Sequence, residues 1–392
     1  MNVAVVGGAG FIGSHLVDAL VERGFRVRVI DNLEPQVHPN GLPPSYLNPR
    51  IEFIQQDVRD MAGLRDAIKG AEAVFYLAGA VGVGDSMYRI RHYADVNVLG
   101  GANLLDILAN HQHSVRKIVL ASSVTVYGEG KYSCPRHGIV VPSVRPTEQL
   151  AREQWELLCP KQENSSDCSA RLTPLPTDEE RPLMPLSVYA MTKRTQEEMF
   201  LTVGRTYGIA VTVLRYFNVY GSRQAVSNPY TGVAKIFASQ IAQGRLPLIY
   251  EEGLQTRDFV HVTDVVQANM LALQREEANG EIFNVGTGRP TTILEMAGAV
   301  AKRLGGDPTF RPSYQCRSGD VRHCWADITK IRRRLGFEPR TVFPAELDDV
   351  LPSVESVPDS GRTDVAHIEL TQRGLIHARP KGDLTRLMGP TK

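Results

Sequence analysis

Tyr189 and Lys193, in the run Ser187-Val188-Tyr189-Ala190-Met191-Thr192-Lys193, are the residues whose types and spacing first suggest chemistry. Four apart on a helix, they share a face. A free phenol titrates at about 10 and is a poor base at neutral pH. An ammonium one turn away, with any further positive charge held nearby, favours the phenolate and predicts a lowered pKa. Such a phenol can take a proton from a hydroxyl and return it. Two hydroxyls able to orient the same oxygen, Ser123 and Thr125, lie in Ala121-Ser122-Ser123-Val124-Thr125-Val126-Tyr127-Gly128 at the end of an apolar segment. A lone Y-x-x-x-K is structural in most proteins, so its meaning depends on what stands beside it.

What stands beside it is a glycine triplet. Gly7, Gly10 and Gly13 fall between a predicted strand at 3–7 and a predicted helix at 12–23. Gly7 permits the tight turn, Gly10 lets the backbone approach a pyrophosphate, and Gly13 lets the helix pack close to the sheet. The helix start, with Phe11 and Ile12, offers free N–H groups and a positive dipole end to phosphates. Asp31 ends the second strand, where a carboxylate can accept both ribose hydroxyls and repel a 2′-phosphate. Asn32 and Leu33 follow it, with no arginine, so the pattern predicts NAD rather than NADP. The oxidised nicotinamide would then be the second positive charge near Tyr189. Asp57 and Val58 after the third strand, Leu77, Ala78 and Gly79 after the fourth, and Asn97, Ser122 and Tyr216 complete the expected cofactor site.

The scaffold that must hold these groups is legible too. Strand-like segments at 3–7, 26–30, 52–56, 73–78, 117–122 and 210–216 alternate with amphipathic stretches at 12–23, 61–69, 96–110 and 187–207. Val- and Ile-rich strands without polar alternation are buried on both faces, which means parallel pairing with crossover helices. The expected fold is α/β, a doubly wound parallel Rossmann sheet, with a smaller C-terminal lobe over it. Residues 1–225 are read as the cofactor domain, 226–340 as the lobe, with strands and helices exchanged between them, and 341–392 as a peripheral tail.

The chain has 392 residues with a formal charge of +1, 42% hydrophobic and 22% charged. That balance describes a globular protein and argues against bulk nucleic-acid binding, which needs an excess of Lys and Arg. No apolar run approaches the ~18 residues of a membrane span. The N-terminus enters a strand without the basic region and apolar core of a secretory leader, so a cytoplasmic location is expected.

Taken together, the glycine loop, Ser123, Tyr189 and Lys193 resemble the extended short-chain dehydrogenase/reductase family, and within it the nucleotide-sugar epimerases and dehydratases. The resemblance spans residues 1–128 and 183–340. It implies NAD, a nucleotide-diphosphate sugar as partner, and a homodimer in which 96–110 and 187–207 pair with their copies. It further implies that Asn218 and Arg257 bind the substrate diphosphate, and that Arg317-Ser318-Gly319-Asp320 holds phosphate and ribose. Two arginines suit a diphosphate, which they can bind bidentately. The run around Val83, with the inserted Cys/His segment, resembles a subgroup acting on a dTDP-6-deoxyhexose of the L-rhamnose type; UDP-hexoses and UDP-hexuronates stay open.

Members that eliminate water or decarboxylate carry an acidic residue after the catalytic Ser/Thr. Here Val124 and Thr125 stand there, and neither can serve as acid or base near neutral pH. A 4-epimerase is therefore expected. Tyr189 would take the C4 hydroxyl proton as hydride leaves for NAD⁺, Ser123 and Thr125 would hold that oxygen, and hydride would return to the opposite face of the 4-keto sugar. The alternatives are a reductase or dehydratase of the same family, and a non-catalytic dinucleotide-sensing protein, which the Tyr/Lys pair weighs against.

Residues 129–185 break the βαβ rhythm. They contain Cys134-Pro135-Arg136-His137, then Cys159-Pro160 and Cys168, a four-ligand inventory for structural zinc. Gln162 occupies the place where a C-x₂-C knuckle has its second thiol. Either an expanded knuckle closes the site, or Cys168 is a free thiol and the site is lost.

Overall fold

A computed structural model describes residues 1–163, 166–225, 232–307, 309–351 and 362–377. Its centre is a parallel sheet of seven strands: β1 (Asn2–Val6), β2 (Arg26–Asp31), β3 (Glu52–Gln55), β4 (Ala73–Tyr76), β5 (Lys117–Ser123), β6 (Ala210–Tyr216) and β7 (Ile282–Val285). The spatial order is β3-β2-β1-β4-β5-β6-β7. The order reverses between β1 and β4, which opens a crevice at their carboxyl ends. Period-two alternation sorts the buried side chains into two layers. Val3 and Val5 join one apolar core with Leu16 and Val17, while Ala4 and Val6 join another with Leu104 and Phe200.

The first layer is built on α1 (Phe11–Glu22) and α5 (Val262–Gln274), the second on α2 (Met61–Ala67), α3 (Gly100–Asn110) and α4 (Val188–Tyr207). Helix α4 starts at Ser187, whose hydroxyl accepts from Ala190 N–H at 3.2 Å, and ends at Gly208, whose φ of +70° few other residues adopt. The single helix expected at 96–110 is instead a π-helical stretch, Ala94–Leu99, running into α3. Strand β7 was not foreseen; it is four residues long and carries a polar Asn284.

Outside the sheet's two layers, helices Val233–Ala242 and Ile293–Arg303 form a separate apolar cluster around Phe237, Ala238, Met296 and Val300. Strand Thr256–Arg257 lies between Thr291–Thr292 and His323–Cys324. Within 341–392, helix Arg362–Gln372 reaches back to the first half of the chain through Glu369, which accepts from the Tyr88 hydroxyl at 2.6 Å, and Ile376–His377 pairs with Cys316–Arg317. The insertion folds as an antiparallel sheet of Lys131–Cys134, Gly138–Val140 and Thr173–Leu175. Among the described residues, no helix is long and apolar enough to cross a membrane.

Candidate active site

The carboxyl ends of β1, β2, β4, β5 and β6 open onto one cavity of about 450 Å³. The glycine loop forms one end, and the three glycines are needed for different reasons. A Cβ on Gly7 would sit 2.6 Å from Ala78 N, and one on Gly13 would sit 2.3 Å from the Gly7 carbonyl. A Cβ on Gly10 would meet nothing nearer than the Gly7 carbonyl at 3.5 Å, an ordinary contact. Protein packing therefore demands Gly7 and Gly13 but not Gly10, whose bare backbone caps α1 without any side-chain hydrogen bond and lines the cavity with Phe11 and Ile12. A glycine that the protein does not need, at the mouth of a helix, fits close approach by a pyrophosphate.

Asp31 and Asn32 line the same end. The Asp31 carboxylate accepts from Ala9 N–H at 3.0 Å and Leu33 N–H at 2.9 Å, which fixes it at the strand tip. Glu34 and the buried His38 are lining residues that the sequence reading did not single out, and no arginine or lysine stands with them among the described lining residues at this end. Val58, Leu77, Ala78, Gly79, Val83, Ser122 and Tyr216 also line the cavity. Asp57 does not. Hydrogen bonds from Arg59 draw its carboxylate aside and hold it down at about 2. Asn97 stands one layer back, its side chain bonding Ala80 N–H at 2.8 Å, the Ala80 carbonyl at 3.1 Å and the Thr192 hydroxyl at 2.9 Å. From within the π-helical stretch it ties Ala80 to Thr192 of α4.

At the other end Ser123, Thr125, Tyr189 and Lys193 converge. Thr125 donates to the Ser123 hydroxyl at 3.0 Å. Lys193 Nζ donates to the Ala121 carbonyl at 3.0 Å. The Ser122 hydroxyl turns away and donates to Glu197, which is itself ion-paired with Arg215 at 2.7 Å in the core. Burial pushes Tyr189 up to about 12, against which the Ser123 side chain acts, and brings Lys193 down to about 8. The lowered phenol expected from the sequence is thus not a property of the protein alone: desolvation outweighs the one lowering influence, Ser123.

Asn218 lines the cavity, whereas Arg257, Arg317 and Asp320 do not. The Arg257 guanidinium donates to the carbonyls of Thr256, Val321 and Arg322. Arg317 pairs with Asp320 at 2.8 Å and lies over the Tyr250 ring.

The insertion draws Cys134, His137, Cys159 and Cys168 into one group, with all four candidate ligand atoms within 4.8 Å of one another. Cys168 is therefore part of the cluster. Its N–H donates to the Lys161 carbonyl, and the paired strands Gln162–Glu163 and Ser166–Asp167 fold the extra residues into a hairpin that returns it to Cys159.

Comparison with known proteins agrees with this geometry. A family profile described as the NAD dependent epimerase/dehydratase family matches residues 3–151 and 164–286. A dTDP-L-rhamnose 4-epimerase of Burkholderia thailandensis is 35% identical over 86% of this chain and 91% of its own length. A putative UDP-glucose 4-epimerase of Methanocaldococcus jannaschii is 34% identical over 86% of this chain and 93% of its own. Among solved structures, a UDP-glucose 4-epimerase of Thermotoga maritima with UDP-glucose superposes with a TM-score of 0.70 at 31% identity, covering 91% of this chain and 98% of that one. A Thermus thermophilus UDP-glucose 4-epimerase in complex with NAD gives 0.67 at 29% identity, covering 91% and 98%.

Proposed function

This chain belongs to the NAD dependent epimerase/dehydratase family, and from that premise we infer that it is a nucleotide-sugar 4-epimerase, an isomerase working with NAD on a dTDP- or UDP-hexose. One observation carries the choice of reaction. Ser123, Thr125, Tyr189 and Lys193 share the cavity, while Val124 and Thr125 leave the position after the serine without an acid or base for elimination.

The glycine loop, Asp31 and the Leu77–Gly79 edge would hold the dinucleotide. When bound, NAD⁺ supplies an acceptor and then a donor of hydride at sugar C4. Tyr189 takes the C4 hydroxyl proton at its phenolic oxygen and later returns it. Ser123, held by Thr125, keeps the same oxygen in place, and Lys193 brings positive charge to the phenol. In this reading Asn218, Arg257, Arg317 and Asp320 anchor the diphosphate and ribose. Arg257 gives part of its fork to backbone carbonyls, which pre-orients the remaining N–H groups.

The substrate favoured is a dTDP-6-deoxyhexose of the L-rhamnose type, supported by the Burkholderia relative. The reading includes a homodimer. Leu99 and Met191 are exposed apolar residues on the stretches expected to pair. It also places the enzyme in the cytoplasm, a reducing compartment that suits five free cysteines, and it puts a structural zinc ion on Cys134, His137, Cys159 and Cys168.

The test is to incubate the purified protein with dTDP-L-rhamnose, UDP-glucose and UDP-glucuronic acid, without added cofactor, and to resolve C4 epimers by NMR. Interconversion of at least one pair with no net NADH is expected. Conversion that appears only when NADH is supplied and consumes it stoichiometrically, or loss of water from the sugar, would replace this reading with reduction or dehydration.

A further inference from the structure

We propose that the inserted segment is a zinc-closed brace that positions Arg257 and the Arg317–Asp320 loop for the substrate diphosphate, acting through Glu156, Arg322 and Arg145. The proposal rests on the zinc reading of the cysteine–histidine cluster and goes beyond it by giving the insertion a role in substrate binding.

The donor atoms have the spacing of a tetrahedral site. Cys134 Sγ is 3.8 Å from Cys168 Sγ and 3.5 Å from His137 Nδ1, and Cys159 Sγ is 3.4 Å from the same nitrogen. Tetrahedral zinc, with Zn–S of about 2.3 Å and Zn–N of about 2.0–2.1 Å, has edges of roughly 3.8 Å between sulfurs and roughly 3.6 Å from sulfur to nitrogen. The insertion also needs such a closure. Its core is Tyr132, Cys134, Val140, Leu157, Cys159, Cys168 and Leu172, so three of its few buried side chains are the thiols themselves. A core that small does not hold a segment by burial alone, and metal-binding energy is then folding energy.

From the ligands a short covalent and hydrogen-bonded route leads to the substrate arginines. Cys159 lies on an extended stretch whose backbone bonds 170–172, with Cys159 N–H donating to Ala170 and Leu172 N–H to Leu157. Three residues before Cys159 on this stretch, Glu156 accepts from Arg322 at 2.7 and 3.1 Å and faces His323 Nε2 at 3.3 Å. Arg322 is 1% exposed, and its guanidinium is shared with Glu251 and Glu252 of the lobe. Its own N–H meets both oxygens of Glu129, at 2.9 Å each, where the insertion begins. One buried arginine therefore pins the insertion to the lobe.

Arg322 is also next to what binds substrate. Its carbonyl, with that of Val321, receives the Arg257 guanidinium, and His323–Cys324 is the strand paired with Thr256–Arg257. Arg145 makes a second pin. It donates to the Trp155 carbonyl at 3.0 Å and the Asp320 carbonyl at 3.3 Å, and pairs with Glu251 at 2.8 Å. Loosening the insertion removes carboxylate partners from buried Arg322, whose displacement is transmitted to Arg257, and shifts Arg145, whose displacement is transmitted to Asp320.

The experiment has three arms. Metal analysis of the protein as purified should give one zinc per chain, lost in Cys134→Ser and Cys168→Ser. Iron in its place, or a folded protein without metal, overturns the zinc reading and the brace with it. Calorimetric titration with UDP and dTDP should then show Kd weakened about tenfold in Glu156→Gln, which keeps all four ligands and its zinc, with KM raised alike and kcat and bound NAD unchanged. Chelator-stripped protein should show the same weakening, reversed by zinc. Full zinc together with an unchanged Kd in Glu156→Gln overturns the brace and leaves the zinc site standing. Wild-type protein that binds neither nucleotide overturns the brace together with the substrate reading.

Discussion

Lys193 Nζ donates to the carbonyl of Ala121 at 3.0 Å, so the ammonium on α4 is tied to the strand that ends in Ser123. The bond fixes the tyrosine helix against the serine strand, and it buries a cation at 3% exposure. Burial lowers Lys193 to about 8, from 10.5 in an exposed lysine. The unfolded chain therefore binds more protons between those values, and folding stability rises with pH across that window. Below about 8 the cost of the buried charge is fully present. Lys193→Met should accordingly melt higher than wild type at pH 7, with the gap narrowing as the pH is raised from 8 to 10.5, while epimerisation is lost. Thermal scans across pH check this; a variant that melts lower at pH 7 would show that the bond to Ala121 outweighs desolvation.

Tyr189→Phe removes one hydroxyl from a buried ring whose edge packs against Tyr93 at 6.2 Å. The packing survives, so the variant should fold and keep its dinucleotide. Turnover should fall by about 10³, within the 10²–10⁴ range of a positioned acid/base. Ser123→Ala should cost less, since it removes a group that orients the sugar oxygen and leaves the Tyr189 acid/base, and the Thr125 hydroxyl it releases still lines the cavity. Both are read from initial rates of C4 epimer formation, with bound cofactor measured after denaturation. Unchanged turnover in Tyr189→Phe would revive a binding role without catalysis.

The glycines separate ligand from packing. Gly10→Ala adds a methyl into open cavity, so its melting temperature should stay close to wild type while bound NAD drops. Gly13→Ala drives a methyl to within 2.3 Å of the Gly7 carbonyl, so it should destabilise the fold before any ligand is considered. Melting temperature and cofactor content, measured together on both variants, test the assignment. Equal destabilisation in the two would remove the argument that Gly10 serves a ligand.

The parts of this molecule that could be read from its sequence are those fixed by local, repeated patterns. Buried parallel strands spell runs such as Val3-Ala4-Val5-Val6, and a glycine-rich turn between strand and helix spells its spacing; both appear where expected, within a residue or two. What escaped was set by the particular partners each side chain meets in the folded chain. Asp57 had the right place for an adenine edge, but Arg59, two residues on, captured it. Arg257 and Arg317 carry the motifs of substrate residues, but the backbone carbonyls and the Asp320 carboxylate that hold them just outside the cavity could not be read from those motifs. The gap between Cys159 and Cys168 obscured a cluster because spacing along the chain does not reveal a hairpin that shortens it in space. Glu34 and His38 gave no signal at all, since a loop residue after Asp31 needs no special type to line that end of the cavity.

Asp31 supports the last prediction. Its carboxylate does two jobs at once: it holds the glycine loop through Ala9 N–H and turns the chain through Leu33 N–H. It also places negative charge at the end of the cavity, beside Glu34 and without a described lysine or arginine to receive a 2′-phosphate. Asp31→Asn keeps an oxygen acceptor and removes the charge, so NAD binding should weaken modestly and the discrimination against NADP should fall. Asp31→Ala removes both, so it should also loosen the loop and lower the melting temperature. Competition between NAD and NADP on dinucleotide-free protein measures the first effect, and thermal unfolding the second. If Asp31→Asn preserved full discrimination against NADP, the selectivity would have to come from Glu34 or from the shape of the loop, and the charge at Asp31 would be structural only.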